Sequence, residues 1–590
     1  MGYAGLAMAM TWPMAIHLSS PYAAIKEDFG LWLWNLWWMK KALVDLGTSP
    51  YFTSYLFHPT GSSLVFHSLS PYHGIVGIPL QVLGAGVLAT YNVLYLSSFV
   101  LAGVGMFLLV QELTGSLFGA CFAGAAYAFS PFHTLTYAWT NLWAIQWFPF
   151  ALLCAVRLLQ VGRRFNGVGL AIFLALATFT DWHQPVFLLF TIVVLTLSCV
   201  ASRQGITHLQ PRWLRRLLWS LLLSGLLVSP LVFLVLRGFM SGDAILQTAS
   251  WAVDFGLLGY RPPLGDVISY GVLLGWIPTA MAAYGAVRGL DFWMRRFAGL
   301  LLLFFVLSLG EGLKLPGLAS PVLPMPFLLW RKLPLLGIIR GSFYFWLMVQ
   351  ACVAVLCGHG AKRLWERMAK WQGGQPSPSR VIAGGGLFAL MLIEVAQAPL
   401  VPMRLSIHPV YQAIAEDGRG GAILDAPVGY SRQTTRIHAG WSMFLQTLHN
   451  HPLMGGYAQF DTRERLAFLD ENPVLAVFTD QPVPVAANGW KDVATFRSFL
   501  HRNGITWVVI RKILRDPICD RQRVPGWSLG KLITLVAPAA VNGELRSFWN
   551  WPVYCGDWDG ARMQEADALA RDTLGDPVWD DDVLVAYRVP

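Results

Sequence analysis

Apolar runs of about 15 to 23 residues recur at 3–17, 91–112, 117–131, 140–157, 167–181, 184–201, 215–236, 267–287, 297–309, 342–361 and 381–400. A run of that length crosses a bilayer as a helix, since lipid offers an open backbone no hydrogen-bond partner. Composition agrees: among 590 residues, 55% are hydrophobic and 13% charged, with 26 Trp, 35 Phe and a mean hydropathy of +0.50, which excludes an ordinary soluble protein. The expected fold is a polytopic α-helical membrane protein of about 11 spans. The first run is short and has no basic leader, so it reads as a signal-peptide-like segment or as a first helix whose start has lost a few residues. The run 74–87, with Pro79 and four glycines, is too short to cross and reads as a re-entrant or surface piece.

Charge sets the expected orientation. On one side the loops 157–166, 201–216, 288–296 and 362–380 carry 15 Lys and Arg in about 54 positions. The opposite side, at 18–90, 132–139, 182–183, 237–266 and 310–341, carries nine in a span more than twice as long. The positive-inside rule makes the first set cytoplasmic and explains the net charge of +10 without a nucleic-acid partner. Everything after residue 400 then lies outside, provided 74–87 does not cross.

Beyond residue 402 the composition gains Asp, Glu, Asn and Arg, and 403–590 contains no further spanning run. The runs Gly421–Ala426, Ile505–Arg511 and Val583–Val589 predict strands. Between the first two, Asp492–Asn503 predicts a helix with Gly504 as its C-cap. A small extracytoplasmic α/β domain is expected, in which Cys519 and Cys555 could close a disulfide. Arg432, Arg436, His438, His449 and His451 read as solvated surface groups. No phosphate loop, nucleophile elbow, CxxC or HExxH occurs in this part, and no repeat occurs anywhere.

The chemistry-bearing stretch runs from Lys26 to Trp38, an acidic pair followed by four tryptophans. Leu31, Trp34 and Trp38 at i, i+3 and i+7 predict a helix over 29–46 lying along the bilayer surface, with Lys40, Lys41 and Asp45 toward water. Asp28 is then either a plain helix cap or a base held at membrane-surface depth, with Glu27 as the second choice.

The order of features resembles the GT-C superfamily of polytopic glycosyltransferases, which includes protein O-mannosyltransferases, oligosaccharyltransferase catalytic subunits and aminoarabinose transferases. The resemblance covers nearly the whole chain. It rests on Glu27-Asp28 after the first helix, the Trp-rich helix, Leu56-Phe57-His58-Pro59-Thr60-Gly61 leading to Pro71-Tyr72-His73-Gly74, and Ala128-Phe129-Ser130-Pro131. It rests also on a long basic outer loop before a late helix, and on Leu424-Asp425-Ala426-Pro427 and Gly455-Gly456-Tyr457 in the tail. It implies transfer of a sugar from a polyprenyl phosphate to a glycan, lipid or protein acceptor on the outer face of a bacterial-type cytoplasmic membrane.

That chemistry asks for a base, for cations or donors at the leaving phosphate, and for a lipid cavity. Asp28 is the expected base. His133 and Asn141 are candidates to bond the sugar or phosphate, or are interfacial residues. Asp181-Trp182-His183-Gln184 is a polar turn or a substrate cluster. Arg331, Lys332 and Arg340 either meet the phosphate or snorkel to lipid headgroups. Glu394 receives no role. The second outer connection lacks the acid of metal-dependent relatives, and the first has Glu-Asp rather than Asp-x-Asp, so no cofactor or divalent metal is expected. Two other classes stay open: a lipid or polysaccharide transporter or flippase, which would show ionisable pairs at mid-membrane and repeated broken helices, and a non-catalytic assembly protein.

Overall fold

The computed structural model describes residues 2–23, 25, 27–160, 163–201, 213–241, 274–310, 312–313, 323–333, 336, 339, 341–371, 378–396, 398–403, 405–429, 439–458, 462–479, 492–512 and 560–590. Cys519, Cys555, Arg432, Arg436, His438 and Arg340 lie outside these residues, as does the side chain of Glu27.

Helices stand at each of the eleven apolar runs. The first part of the chain holds α1 (Gly2–Met10), α2 (Glu27–Lys40), α3 (Pro71–Val82), α4 (Val87–Thr114), α5 (Leu117–Ala128), α6 (Pro131–Leu135), α7 (Thr140–Trp143), α8 (Trp147–Gln160), α9 (Arg164–Thr180) and α10 (His183–Val200). There follow α11 (Trp213–Ser241), α12 (Trp276–Val287), α13 (Phe292–Ser308), α14 (Phe327–Lys332), α15 (Trp346–Trp371) and α16 (Pro378–Val395). Among the described residues six helical stretches are long and apolar enough to cross a membrane, and α9 is a shorter apolar helix. The piece read as non-spanning is α3, which starts on Pro71, where a missing N–H costs nothing.

Helix ends are set by local chemistry. Gly115, in the left-handed region at φ 68°, closes α4. Ser116 then caps α5 by accepting from the Gly119 N–H at 3.1 Å, and Asp291 caps α13 through the Met294 N–H. Glu394 acquires a role here: its carboxylate accepts from the first backbone N–H groups of α12, Trp276 and Ile277, the latter at 2.8 Å. Described residues of three of the loops counted as basic meet the ends of neighbouring helices. There Arg157 pairs with Glu112, Lys362 bonds the last carbonyl of α4, and His359 reaches the Gly289 carbonyl at 3.0 Å.

Beyond α16 the chain runs back along the N-terminal segment, where the Leu400 N–H bonds the Trp12 carbonyl and the Met403 N–H bonds that of Pro21. It then builds α17 (Pro409–Glu416), β5 (Ala422–Ala426), α18 (Ala439–His449), α19 (Arg463–Glu471), α20 (Val493–Arg502), β6 (Ile505–Arg511), α21 (Gly560–Leu574), β7 (Trp579–Asp580) and β8 (Leu584–Arg588). Two-residue strands β1–β4 lie earlier, as the ribbons Phe52–Thr53 with Ser62–Ser63 and Gly312–Leu313 with Leu323–Pro324. The four-stranded sheet has the order β5-β6-β8-β7, with β5 and β6 parallel and the other pairs antiparallel. The predicted strands and the helix capped by Asp492 and Gly504 are found in place.

The tryptophan helix departs from expectation. It does not lie on lipid: every residue from Phe29 to Met39 is buried in protein. Phe29, Trp32, Leu33 and Leu36 enter the core of the membrane helices, whereas Leu31, Trp34, Trp37, Trp38, Met39 and Ala42 enter the core built with the sheet. The i, i+3, i+7 spacing is real, but its apolar stripe faces α18, and the Trp34 indole donates to Gln446 Oε1 at 2.7 Å. Lys40 and Asp45 do face water, where they form an ion pair at 2.8 Å.

Candidate active site

Asp28 is the second residue of α2, in the first turn, where a carboxylate gains from the exposed N–H groups. It is only partly buried. Its Oδ2 accepts from the Trp139 indole N–H at 2.8 Å, which ties the start of α2 to the connection between α6 and α7. An aromatic cluster holds that connection from below. Phe29 meets Tyr91 and Tyr137 with ring centroids 5.1 Å from each, and the Trp143 indole donates to the Tyr91 hydroxyl at 2.8 Å. Tyr137 donates in turn to Asn92 Oδ1 at 2.7 Å, and the amide of Asn92 bonds the carbonyls of Leu18 and Ser20. The acid, α4 and the α6–α7 connection are therefore tied to one another.

Two residues after Trp139, Asn141 Nδ2 donates to the Tyr344 hydroxyl at 3.3 Å, while its Oδ1 is buried with no hydrogen-bond partner among the described residues. Tyr344 sits in the 3₁₀ turn Ser342–Phe345 that leads into α15. Its ring stacks on that of His183, with centroids 4.4 Å apart and planes 12° apart. Asp181, which ends α9, accepts from the His183 backbone N–H at 2.9 Å and lies 2.6 Å from His183 Nδ1. Asp181 is almost wholly enclosed and His183 partly open, with side-chain exposures of 2% and 17%. A buried carboxylate in contact with imidazole fixes the ring's orientation and tautomer. Four sequence-chosen groups, Asp28, Asn141, Asp181 and His183, thus share one end of the bundle, linked by Trp139 and Tyr344.

His133 leaves the site. It is fully buried, its ring stacks on Phe99 at 4.1 Å, and both nitrogens are used, Nδ1 by the Ala128 carbonyl at 2.8 Å and Nε2 by Ser98 Oγ at 2.9 Å. With no nitrogen left for a sugar or phosphate, it acts as a joint between α4, α5 and α6. Arg331 and Lys332 form the last turn of α14, whose buried Trp330 packs edge-on against Phe345 at 5.0 Å. They therefore lie beside the turn that carries Tyr344, with Lys332 exposed and Arg331 half-buried.

Tyr344 and Trp139 were missed as site residues. The available signal was position, since both flank segments already singled out, at 340–341 and at 141. A cavity of about 570 Å³ lies away from this cluster, between α10 and α13, where Arg295 and Arg296 meet Val194 and Ser198.

No protein-family model matches the chain, and no curated protein does. Among solved structures, a mutant of the arabinofuranosyltransferase AftD from Mycobacteria aligns with 87% of this chain and 36% of its own, at 16% identity and a TM-score of 0.51. The chain shares the fold of the aligned part of that protein. The oligosaccharyltransferase AglB from Archaeoglobus fulgidus, in complex with an inhibitory peptide and a dolichol-phosphate, aligns with 86% of this chain and 69% of its own, at 12% identity and a TM-score of 0.47. ArnT from Cupriavidus metallidurans, in the apo state, aligns with 86% of this chain and 92% of its own, at 14% identity and a TM-score of 0.46. This chain spans about a third of the length of the AftD chain it matches. In this protein Asp28, Trp139, Asn141, Asp181, His183 and Tyr344 all belong to connections or helix ends.

Proposed function

We propose that this protein transfers a sugar from a polyprenyl phosphate to an acceptor on the outer face of a cytoplasmic membrane, with Asp28 as the general base. In this reading about 11 helices cross, the basic loops face the cytoplasm, and the sheet-containing part is extracytoplasmic. The observation that carries it is the Asp28–Trp139 bond. It holds a carboxylate at the edge of an otherwise apolar bundle, on the connection that also brings Asn141 to the Asp181, His183 and Tyr344 group. The GT-C fold adds support, and the donor's lipid would approach from the bilayer alongside. Asp28 would accept the acceptor's proton, Asn141 Oδ1 is a free acceptor for a sugar hydroxyl, and Arg331 and Lys332 carry positive charge near the phosphate. Glu27 remains the neighbouring acid.

A metal is not part of this proposal. Asp28 accepts from an indole, Asp181 is engaged by His183, and among the described residues no three His, Cys, Asp or Glu converge. The test is turnover of Asp28→Asn with a panel of polyprenyl-phosphate sugars. Asn fits the same turn without a base, so transfer should fall by about 10²-fold or more, in line with the loss of a positioned base. Expression should hold, and parental turnover should survive a chelator. Parental rates in the Asn variant would return Asp28 to a structural role.

A further inference from the structure

We infer that His183, oriented by Asp181 and Tyr344, is the group that protonates the departing polyprenyl phosphate. This rests on the transferase reading above and adds to it a second, opposite proton transfer.

Three contacts define the ring. Asp181 Oδ1 takes Nδ1 at 2.6 Å, the Tyr344 ring covers one face at 4.4 Å, and the backbone N–H of His183 is held by the same carboxylate. The nitrogen that Asp181 does not hold is Nε2, and the side chain keeps 17% of its surface open. A carboxylate at Nδ1 stabilises an imidazolium as it forms and keeps Nε2 outward, an arrangement suited to delivering a proton to a fixed place. Among the described residues the titratable groups against the ring are Asp181 at the end of α9 and Tyr344 just before α15, and Tyr344 is held in turn by the neutral amide of Asn141. The residues bonded to Asp28 and to Tyr344, Trp139 and Asn141, are two apart on one short segment, whose Cα atoms can span no more than about 7 Å. A sugar lying across that segment would have the base on the acceptor side and the imidazolium on the phosphate side.

The step balances without a further reactant. The acceptor oxygen forms its bond to the anomeric carbon, and the bond from that carbon to the phosphate oxygen breaks with its electron pair passing to the phosphate. Asp28 takes the proton of the acceptor, and Nε2 gives one to the phosphate oxygen. A proton passing from Asp28 to the imidazole through solvent restores both groups.

The test compares the full chain, its His183→Gln and Asp181→Asn forms and Asp28→Asn in lipid nanodiscs, using undecaprenyl phosphate as the binding probe and the polyprenyl-phosphate sugar panel for turnover. The parental protein should lose kcat as pH rises and the imidazolium form is used up. His183→Gln should lose that limb and about tenfold or more of kcat at pH 6, with KM little changed, because glutamine keeps a donor but no transferable proton. Asp181→Asn should keep the limb but displace it. Undecaprenyl phosphate should bind Asp28→Asn as it binds the parent, and should bind His183→Gln more weakly only at low pH. A His183→Gln enzyme with the parental rate and pH profile, alongside an inactive Asp28→Asn, would overturn the acid role and leave the transferase standing. Undiminished turnover in both would sink the transferase reading itself.

Discussion

Gly30 shows how little room the site allows. A Cβ added there would lie 1.9 Å from the Gly440 carbonyl oxygen, so α2 and α18 cross with backbone against backbone. Neither backbone can swing aside as a side chain would, and overpacking of this kind costs roughly 1–3 kcal/mol. Gly30→Ala should therefore lower the thermal midpoint of the purified protein, even though alanine is the better helix former. It should also depress turnover, since Asp28 is two residues away. An unchanged midpoint would show that the crossing has slack.

A second residue-scale expectation concerns acid. Burial lowers the His449 pKa to about 3, with the neighbouring His451 adding to the effect. His449 closes α18, a position where positive charge would ordinarily be welcome, so desolvation outweighs the helix dipole. The unfolded chain binds a proton near pH 6.5 and the folded chain does not until about 3, so stability is full above 6.5 and declines as pH falls through that window. The slope is at most about 1.4 kcal/mol per pH unit. Urea melts at stepped pH should show it, and His449→Gln should flatten the curve.

At the scale of elements, what was legible and what was not divide along one line: local chemistry could be read, long-range partners could not. Asp492 and Gly504 bound a helix because a cap and a left-handed glycine act within a few residues. The strands at 422–426, 505–511 and 584–588 announced themselves by composition in the same way. The face chosen by α2 could not be read, because Trp34 finds Gln446 across 412 positions and a tryptophan stripe looks the same whether it meets lipid or protein. His133 looked like a ligand for a similar reason, its satisfaction coming from Ser98, 35 residues away on another helix. The contact between Asp181 and His183 is local, two residues apart, and so could be read from their spacing.

At the scale of the whole molecule, helix ends gather the polar groups into two sets. One holds Glu112, Arg157, His359 and Lys362, the other Asp28, Trp139, Asn141, His183 and Tyr344. The proposed topology puts the first set in the cytoplasm and the sheet with α21 outside. Ala568 is exposed on α21. With Cys519 and Cys555 replaced by serine, an Ala568→Cys protein should react with an impermeant maleimide on intact cells. Labelling that appears only after permeabilisation would invert the topology and remove the site from the outer face.

Because α2 contributes one side to each of two interiors, the watery half of this protein is not a cassette. An outer part transplanted from a distant relative would arrive without a surface cut to Leu31, Trp34, Trp37 and Trp38. Left uncovered, those rings would be a sticky patch directly beside the acid. Chimaeras should therefore work only when the seam is drawn so that the tryptophan helix travels with the tail, and divergence in one half should leave its trace on a segment of the other almost four hundred residues upstream.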